Sequence, residues 1–112
     1  MTEPSSDAIT ELFEELASLT AHPDVATGAM FGHRTITVRG KACCILFGEA
    51  LVFKLRGTDH TDALALEGAH LFDPSGTDKP MREWVQVPDT HTSEWPRFLE
   101  GAVEYLDELT AP

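Results

Sequence analysis

The residue types that carry out chemistry in proteins are thinly spread along this chain of 112 residues. It holds five histidines, and no two lie four residues apart, as zinc ligands on one helix face would. His60, with Asp59 and Asp62 beside it, could bind a metal ion at the start of a helix. We favour helix capping for these aspartates, because a side-chain oxygen there accepts from free backbone N–H groups. The sequence therefore predicts no metal site and no cofactor.

Two adjacent cysteines, Cys43 and Cys44, are the only thiols. Either could act as a nucleophile if His33 or His70 lay close in space. Their alanine, isoleucine and leucine neighbours favour a different interpretation, a pair of small buried side chains in a strand. Because neighbouring side chains of a strand point to opposite faces, we expect no disulfide between them. We predict no catalytic residue.

Three basic and two large apolar residues form the remaining candidate site. They are Lys54, Lys79, Met81, Arg82 and Trp84. Such a set could bind a small anion or an acidic peptide through charge-assisted hydrogen bonds and cation–π contacts. In the alternative interpretation, which we favour, the bases pair with acids of flanking helices, such as Glu14 or Glu104, and the apolar residues fill the core.

The net charge of −11 is unevenly placed along the chain. Residues 1–33 carry six acids and no Lys or Arg, and residues 89–112 carry six acids and one base. Residues 34–88 carry seven of each and are neutral. Because phosphate binding needs clustered bases, this pattern predicts no nucleic-acid partner. A solvated acidic face accounts for the charge; the functional alternative is repulsion of anionic membranes or attraction of a basic partner.

Length and hydropathy limit the classes of protein to which the chain can belong. No apolar run approaches the roughly 20 residues of a membrane span. The acidic N-terminus lacks the basic region of a signal peptide. We therefore expect a cytoplasmic protein with no membrane partner. The length fits a single domain, 1–112, in which residues 1–5 form a flexible tail.

Amphipathic helices are predicted near both ends of the chain. The first follows a cap at Ser6 or Asp7 and ends before Pro23. The last follows a cap at Ser93, with Pro96 in its first turn. Their apolar positions recur at helical spacing: Ile9, Leu12, Phe13, Leu16 and Leu19 in the first, and Trp95, Phe98, Leu99, Ala102, Val103, Leu106 and Leu109 in the last.

A three-stranded antiparallel meander is predicted after a glycine-flanked stretch, GAMFG. Its strands and glycine-first turns are 35–39, Gly40-Lys41, 42–47, Gly48-Glu49 and 51–56. The last strand places Leu51, Phe53 and Leu55 on the core face. The opposite face is predicted to be open and half apolar, with Val52 beside Lys54, which makes it a candidate interface.

The remaining segments complete the fold. We predict a helix from Thr58 or Asp59 to Glu67, a strand at 70–72, a loop at 73–80 and a strand at 81–87. The element order is then α-β-β-β-α-β-β-α. This order indicates a two-layer α+β fold, an antiparallel five-stranded sheet with the helices packed on one face.

Several short motifs follow one another along the chain at a fairly specific spacing. They are MFG at 30–32, GKACCILF at 40–47, LVFKL at 51–55, Phe72 with Pro74, KPMREWVQVP at 79–88, and a final W…FLEGAVEYL. Over about residues 8–109 this spacing resembles the N-terminal domain of the TfoX/Sxy family, named for bacterial competence regulators. The resemblance implies the α-β3-α-β2-α arrangement also seen in type III secretion chaperones, and it implies no catalytic residue. Because the chain ends at Pro112, we expect the second, helical domain of longer members to be absent. The matching signature positions are Met30, Phe31, Gly32, Lys54, Lys79, Pro80, Met81 and Trp84.

The function that follows is a small non-enzymatic regulatory module, acting through a protein partner or as a homodimer. The alternative is a protein that binds a small anionic ligand, or a weak enzyme, using the cluster of Lys54, Lys79 and Arg82.

Overall fold

A computed structural model describes residues 4–20, 22–30, 32–74, 76 and 80–112 and confirms the two-layer α+β class. Its elements are α1 (Pro4–Leu19), β1 (Val25–Met30), β2 (His33–Val38), β3 (Lys41–Phe47), β4 (Ala50–Lys54), α2 (Gly57–Leu64), β5 (His70–Phe72), β6 (Met81–Val87), a 3-10 helix (Asp89–Glu94) and α3 (Trp95–Thr110). The strands form one antiparallel sheet in the order β1-β2-β3-β4-β6-β5.

The strand β1 corrects the predicted number of strands from five to six. Its sequence, VATGAM, contains residues with weak strand preference and shows no apolar alternation. It pairs along its whole length with β2, from Val25 opposite Val38 to Met30 opposite His33. Tertiary pairing, which local sequence does not display, makes this segment a strand.

The turn between β2 and β3 lies one residue earlier than predicted. Val38 faces Lys41, so the turn residues are Arg39 and Gly40, with φ values of 49° and 80°. Positive φ at both positions matches the twist of a tight hairpin. Arginine seldom adopts this conformation, so contacts of its side chain must offset the strain. The second turn, Gly48-Glu49, lies where it was predicted.

The helix boundaries differ from the predicted caps. Helix α1 already includes Pro4 and Ser5, which were predicted to lie in a tail, and residues 1–3 lie outside the described residues. Helix α2 begins at Gly57 without a side-chain cap and ends at Leu64, three residues short of the prediction. A 3-10 segment precedes α3, which displaces its start to Trp95.

The main core lies between the sheet and the helices. It joins apolar side chains from α1, α2 and α3 to one face of β2, β3, β4 and β6. The predicted core positions Leu51, Phe53 and Leu55 belong to this core and Val52 does not, which confirms the alternation in the third predicted strand. The helices therefore cover one face of the sheet, as expected.

A β-bulge places both cysteines in this core. Ile36 faces Cys44 and Thr37 faces Ala42, so Cys43 is an extra residue on β3. Both thiols are free and 0% exposed. The expectation that they point to opposite faces was wrong, because a bulge interrupts the two-residue period of a strand.

The other face of the sheet is closed where we predicted it to be open. Ile45 and Val52 are 3% and 0% exposed, and they form a second cluster with Phe72 and Trp84. The ring of Phe72 meets that of Phe47 edge-on at 5.0 Å, although two strands separate β5 from β3. Phe72 therefore reaches back across the sheet, and these aromatic rings seal the aliphatic side chains beneath them. We call this set the outer cluster.

Candidate functional site

The ammonium group of Lys54 is already engaged at the edge of the outer cluster. Lys54 and Trp84 are cross-strand partners on β4 and β6, and Lys54 Nζ lies 5.8 Å from the indole ring centroid. The same Nζ is 3.7 Å from Glu83 Oε1. Glu83 also accepts a hydrogen bond from the Tyr105 hydroxyl of α3. Lys54 thus pairs with an acid of its own sheet rather than with Glu14 or Glu104.

The rest of the predicted anion site is only partly assembled. Met81 and Arg82 begin β6 and are exposed, whereas Trp84 is 9% exposed and belongs to the outer cluster. Arg82 forms no ion pair with the residues that the structure describes. Lys79 and the signature residue Phe31 lie outside those residues. The described geometry brings Lys54 beside Trp84 and does not bring three bases together.

The candidate metal ligands near His60 are committed to other contacts. His60 Nε2 donates to the Arg82 carbonyl oxygen at 2.7 Å. Asp59 and Asp62 both bind the guanidinium of Arg97, at 3.5 and 2.5 Å. The hydrogen bond to Asp62 raises the pKa of Arg97. Among the described residues, no three His, Cys, Asp or Glu side chains form a metal-binding group.

The two thiols lie in surroundings that keep them protonated. Burial raises the pKa of Cys43 to about 12 and that of Cys44 well above its ordinary value. His33 lies against Phe47, with 5.0 Å between ring centroids, and His70 Nδ1 is 2.9 Å from the Leu71 carbonyl oxygen. Neither imidazole is placed as a base for a thiol. The arrangement supports the buried, structural interpretation of the cysteines.

A groove of about 460 Å³ runs between the end of α1 and the first half of α3. Leu16, Leu99 and Val103 form its floor and belong to the core, at 3–7% exposure. Leu19, at its edge, is 70% exposed. Thr20, His22, Pro96 and Glu100 complete the lining. We call this feature the α1–α3 groove.

Acidic side chains flank the groove. Glu100 lines it from α3. On α1, Glu11 and Glu15 precede Leu19 at four-residue spacing, which places them on the same side of the helix. Glu11, Glu15 and Glu100 are exposed and form no ion pair within the described part of the chain. An apolar floor with an acidic rim favours a partner that is apolar and basic.

The chain matches no protein-family model, no curated protein and no solved structure. The resemblance to the TfoX/Sxy N-terminal domain therefore rests on the motifs of the sequence and stays a prediction. None of the helices that the structure describes is both long and apolar enough to cross a membrane.

One end of the groove is fixed by a cluster of charged and polar groups, which we call the Asp107 clamp. The Asp24 backbone N–H donates to His22 Nδ1 at 3.0 Å, so His22 Nε2 carries the proton and donates to Asp107 Oδ1 at 3.0 Å. Arg39 Nη1 donates to the same carboxylate at 2.9 Å, and its Nη2 lies 3.1 Å from Asp24 Oδ2. Arg39 also reaches the Thr110 hydroxyl at 3.2 Å. The clamp thus ties the strained hairpin to α3.

Hydrogen bonds from His22 and Arg39 lower the pKa of Asp107. A lowered folded-state pKa contributes stability above the unfolded-state pKa, about 4, and this contribution disappears as pH falls through the folded value. We expect Asp107→Asn to be less stable than the parent protein at pH 7, with a difference that shrinks below about pH 4. Urea denaturation at pH 7 and pH 3 measures it.

The control for this prediction is Glu104→Gln, which removes a charge from the same helix without breaking a described ion pair. It is expected to leave stability at pH 7 unchanged or slightly higher, because the chain is strongly acidic. An Asp107→Asn deficit that is the same at both pH values would contradict the role assigned to the carboxylate.

The sequence predicted that the floor residues of the groove are core positions, but it did not predict that a groove lies above them. Leu16, Leu99 and Val103 were all assigned to apolar helix faces, and a residue of the same series, Leu19, is left exposed. The available signal was the breadth of the apolar set of α3, which includes neighbours such as Leu99 beside Phe98 and Val103 beside Ala102. A stripe that wide faces more than one surface.

Proposed function

We propose that this protein is a small non-enzymatic protein-interaction module whose α1–α3 groove binds a basic amphipathic helix. The observation that carries the proposal is the combination of exposed Leu19, an apolar floor and an acidic rim that forms no ion pair with the residues the structure describes. Helices bind in such grooves through apolar residues spaced three and four apart. Basic residues on the flanks of the partner would meet Glu15 and Glu100.

This site replaces the outer face of the sheet as the preferred interface. The apolar part of that face is already closed by Phe72 and Trp84. The anionic-ligand alternative has less support, because Lys54 is paired with Glu83. A regulatory role of the kind implied by the TfoX/Sxy resemblance is compatible with a module that acts by binding, and it remains part of the proposal.

The proposal is tested with a pair of labelled model peptides. One is a basic amphipathic helix with Leu at helical spacing and Lys on the flanks; the other has the same composition in scrambled order. Fluorescence anisotropy is expected to show binding of the first peptide, weakening as salt rises, because the rim charges are exposed. Substituting Leu19→Asp is expected to weaken binding at least tenfold, because it removes an apolar contact and places a charge at the groove edge.

The matched control is Leu109→Asp, which changes another exposed leucine, 56% exposed and absent from the groove lining. It should leave the affinity within about twofold. Equal binding of the ordered and scrambled peptides would show charge attraction alone and would overturn the proposal. Equal losses from Leu19→Asp and Leu109→Asp would also do so.

A further inference from the structure

The outer edge of β1 lacks the features that protect sheet edges. Strand β1 pairs with β2 on one side, and no strand within the described residues pairs with its other side. The four central residues, 26–29, are exposed, and the strand contains no charged residue and no proline. Edge strands of monomeric proteins usually carry lysine, proline or a bulge that discourages pairing with another chain.

The alternation of hydrogen bonds between β1 and β2 shows which backbone groups of β1 point to the open edge. In an antiparallel pair, alternate residues bond to the partner strand, and those between point their N–H and C=O groups away. Just before β1, the Arg39 N–H donates to the Asp24 carbonyl at 3.0 Å, so Asp24 is a bonded position. Counting from it, Val25, Thr27 and Ala29 direct backbone groups to the open edge. The Val25 N–H already donates to the His22 carbonyl at 3.2 Å, so Val25 offers only its carbonyl oxygen there.

Nothing in the fold of the single chain requires a glycine at position 28, in the middle of this edge. The φ of Gly28 is not positive. An added Cβ would come no closer than 3.4 Å to any neighbour, the nearest being Thr35 Oγ1, so an alanine would fit. Glycine inside a strand commonly marks a place where another backbone approaches closely.

From these observations we propose that β1 pairs with β1 of a second copy, forming a two-fold symmetric dimer with a continuous sheet of twice six strands. Outward-pointing groups must face each other, so Val25 pairs with Ala29 of the second copy. Thr27 then faces Thr27 on the two-fold axis, and Ala26 faces Gly28. This register uses all three outward positions. Because the Val25 N–H is engaged by His22, it forms on the order of four backbone hydrogen bonds: two between the threonines and one from each Ala29 N–H to the Val25 carbonyl of the other copy.

The composition of the strand favours a second copy over an unrelated peptide. Self-pairing places a threonine beside a threonine, a favourable cross-strand pair, and sets small residues opposite small residues. It opposes no like charges within β1, although each copy carries a net charge of −11. Salt should therefore strengthen the dimer by screening the repulsion between copies. This interface is separate from the α1–α3 groove and goes beyond the proposed function.

Light scattering coupled to size exclusion, at rising protein concentration and in 0.05 and 0.5 M salt, tests the pairing. The parent protein is expected to elute at twice the monomer mass, more completely at high salt. Thr27→Pro removes an outward N–H and should give a monomer with an unchanged circular dichroism spectrum. Leu19→Asp, which disables the groove, should not change the mass, so the two proposals fail independently.

The register is tested by cross-linking, which also decides the matter if Thr27→Pro fails to fold. Bonded cross-strand residues lie about 5.5 Å apart, within disulfide range, so Thr27→Cys should form an intermolecular disulfide under mild oxidation. Ala29→Cys should not, because its two copies would lie more than about 13 Å apart. The native thiols are fully buried. A monomeric parent with no Thr27→Cys cross-link would overturn the proposal, as would a Thr27→Pro dimer.

Discussion

Replacing Trp95 with alanine is expected to lower the free energy of unfolding by about 3–5 kcal/mol. Trp95 begins α3, is 0% exposed and is the largest fully buried side chain of the core. Truncation would remove its contacts and leave a cavity that the surrounding sheet and helices can fill only in part. Urea denaturation followed by circular dichroism measures the loss.

Two further variants separate packing from polarity at this position. The indole Nε1 of Trp95 is buried, and no described residue accepts its hydrogen bond. Trp95→Phe should therefore cost less than Trp95→Ala, because it keeps most of the ring volume and removes an unsatisfied donor. Leu109→Ala, on the exposed side of the same helix, should change stability by less than about 0.5 kcal/mol. A Trp95→Ala loss no greater than that of Leu109→Ala would contradict the assigned core.

Placing a carboxylate in the outer cluster is expected to have an effect of similar size. Val52 is 0% exposed beneath aromatic side chains. Val52→Asp would bury an uncompensated charge and should lower the free energy of unfolding by about 3–5 kcal/mol at pH 7. Desolvation raises the pKa of a buried aspartate, so the part of the penalty due to ionisation should be largest above that raised value and should fade as pH approaches about 4. The smaller cost of burying a neutral carboxyl group in place of valine remains at low pH.

Thr37→Asp provides the comparison on the same face of the sheet. Thr37 is half-buried on β2, and the outer cluster does not include it. A carboxylate there remains hydrated and should cost no more than about 1 kcal/mol, the range of strand preferences. If Val52→Asp were tolerated as well as Thr37→Asp, the outer face would be open, as the sequence first suggested.

Periodicity predicted the parts of the fold in which local pattern and tertiary structure agree. The alternation of Leu51, Phe53 and Leu55 and the apolar stripe of α3 gave the correct buried faces. The strand β1 could not be found in this way, because its partner β2 rather than its composition makes it a strand. The predicted position of the turn between β2 and β3 was wrong because an arginine, Arg39, takes a conformation that usually goes to glycine or asparagine.

The candidate sites were harder to predict because they depend on side chains that are distant in sequence. Alternation correctly placed Val52 opposite the main core, but it could not show Phe72 covering it. The acidic character of both ends of the chain was visible in the sequence. That these ends meet to form one groove, with Leu16 and Leu99 both in its floor, is visible only in the folded chain.

The position of α3 in the chain has a consequence for synthesis on the ribosome. The first four strands are complete by Lys54, yet Phe98 of α3 emerges 44 positions later, with the other large core residues of that helix around it. Arg39 likewise cannot form its ion pair with Asp107 until that residue, 68 positions downstream, has been synthesised. Until α3 emerges, the part of the apolar face that α3 covers is exposed to water or to a chaperone, and the strained hairpin lacks its anchor until translation has passed the last helix.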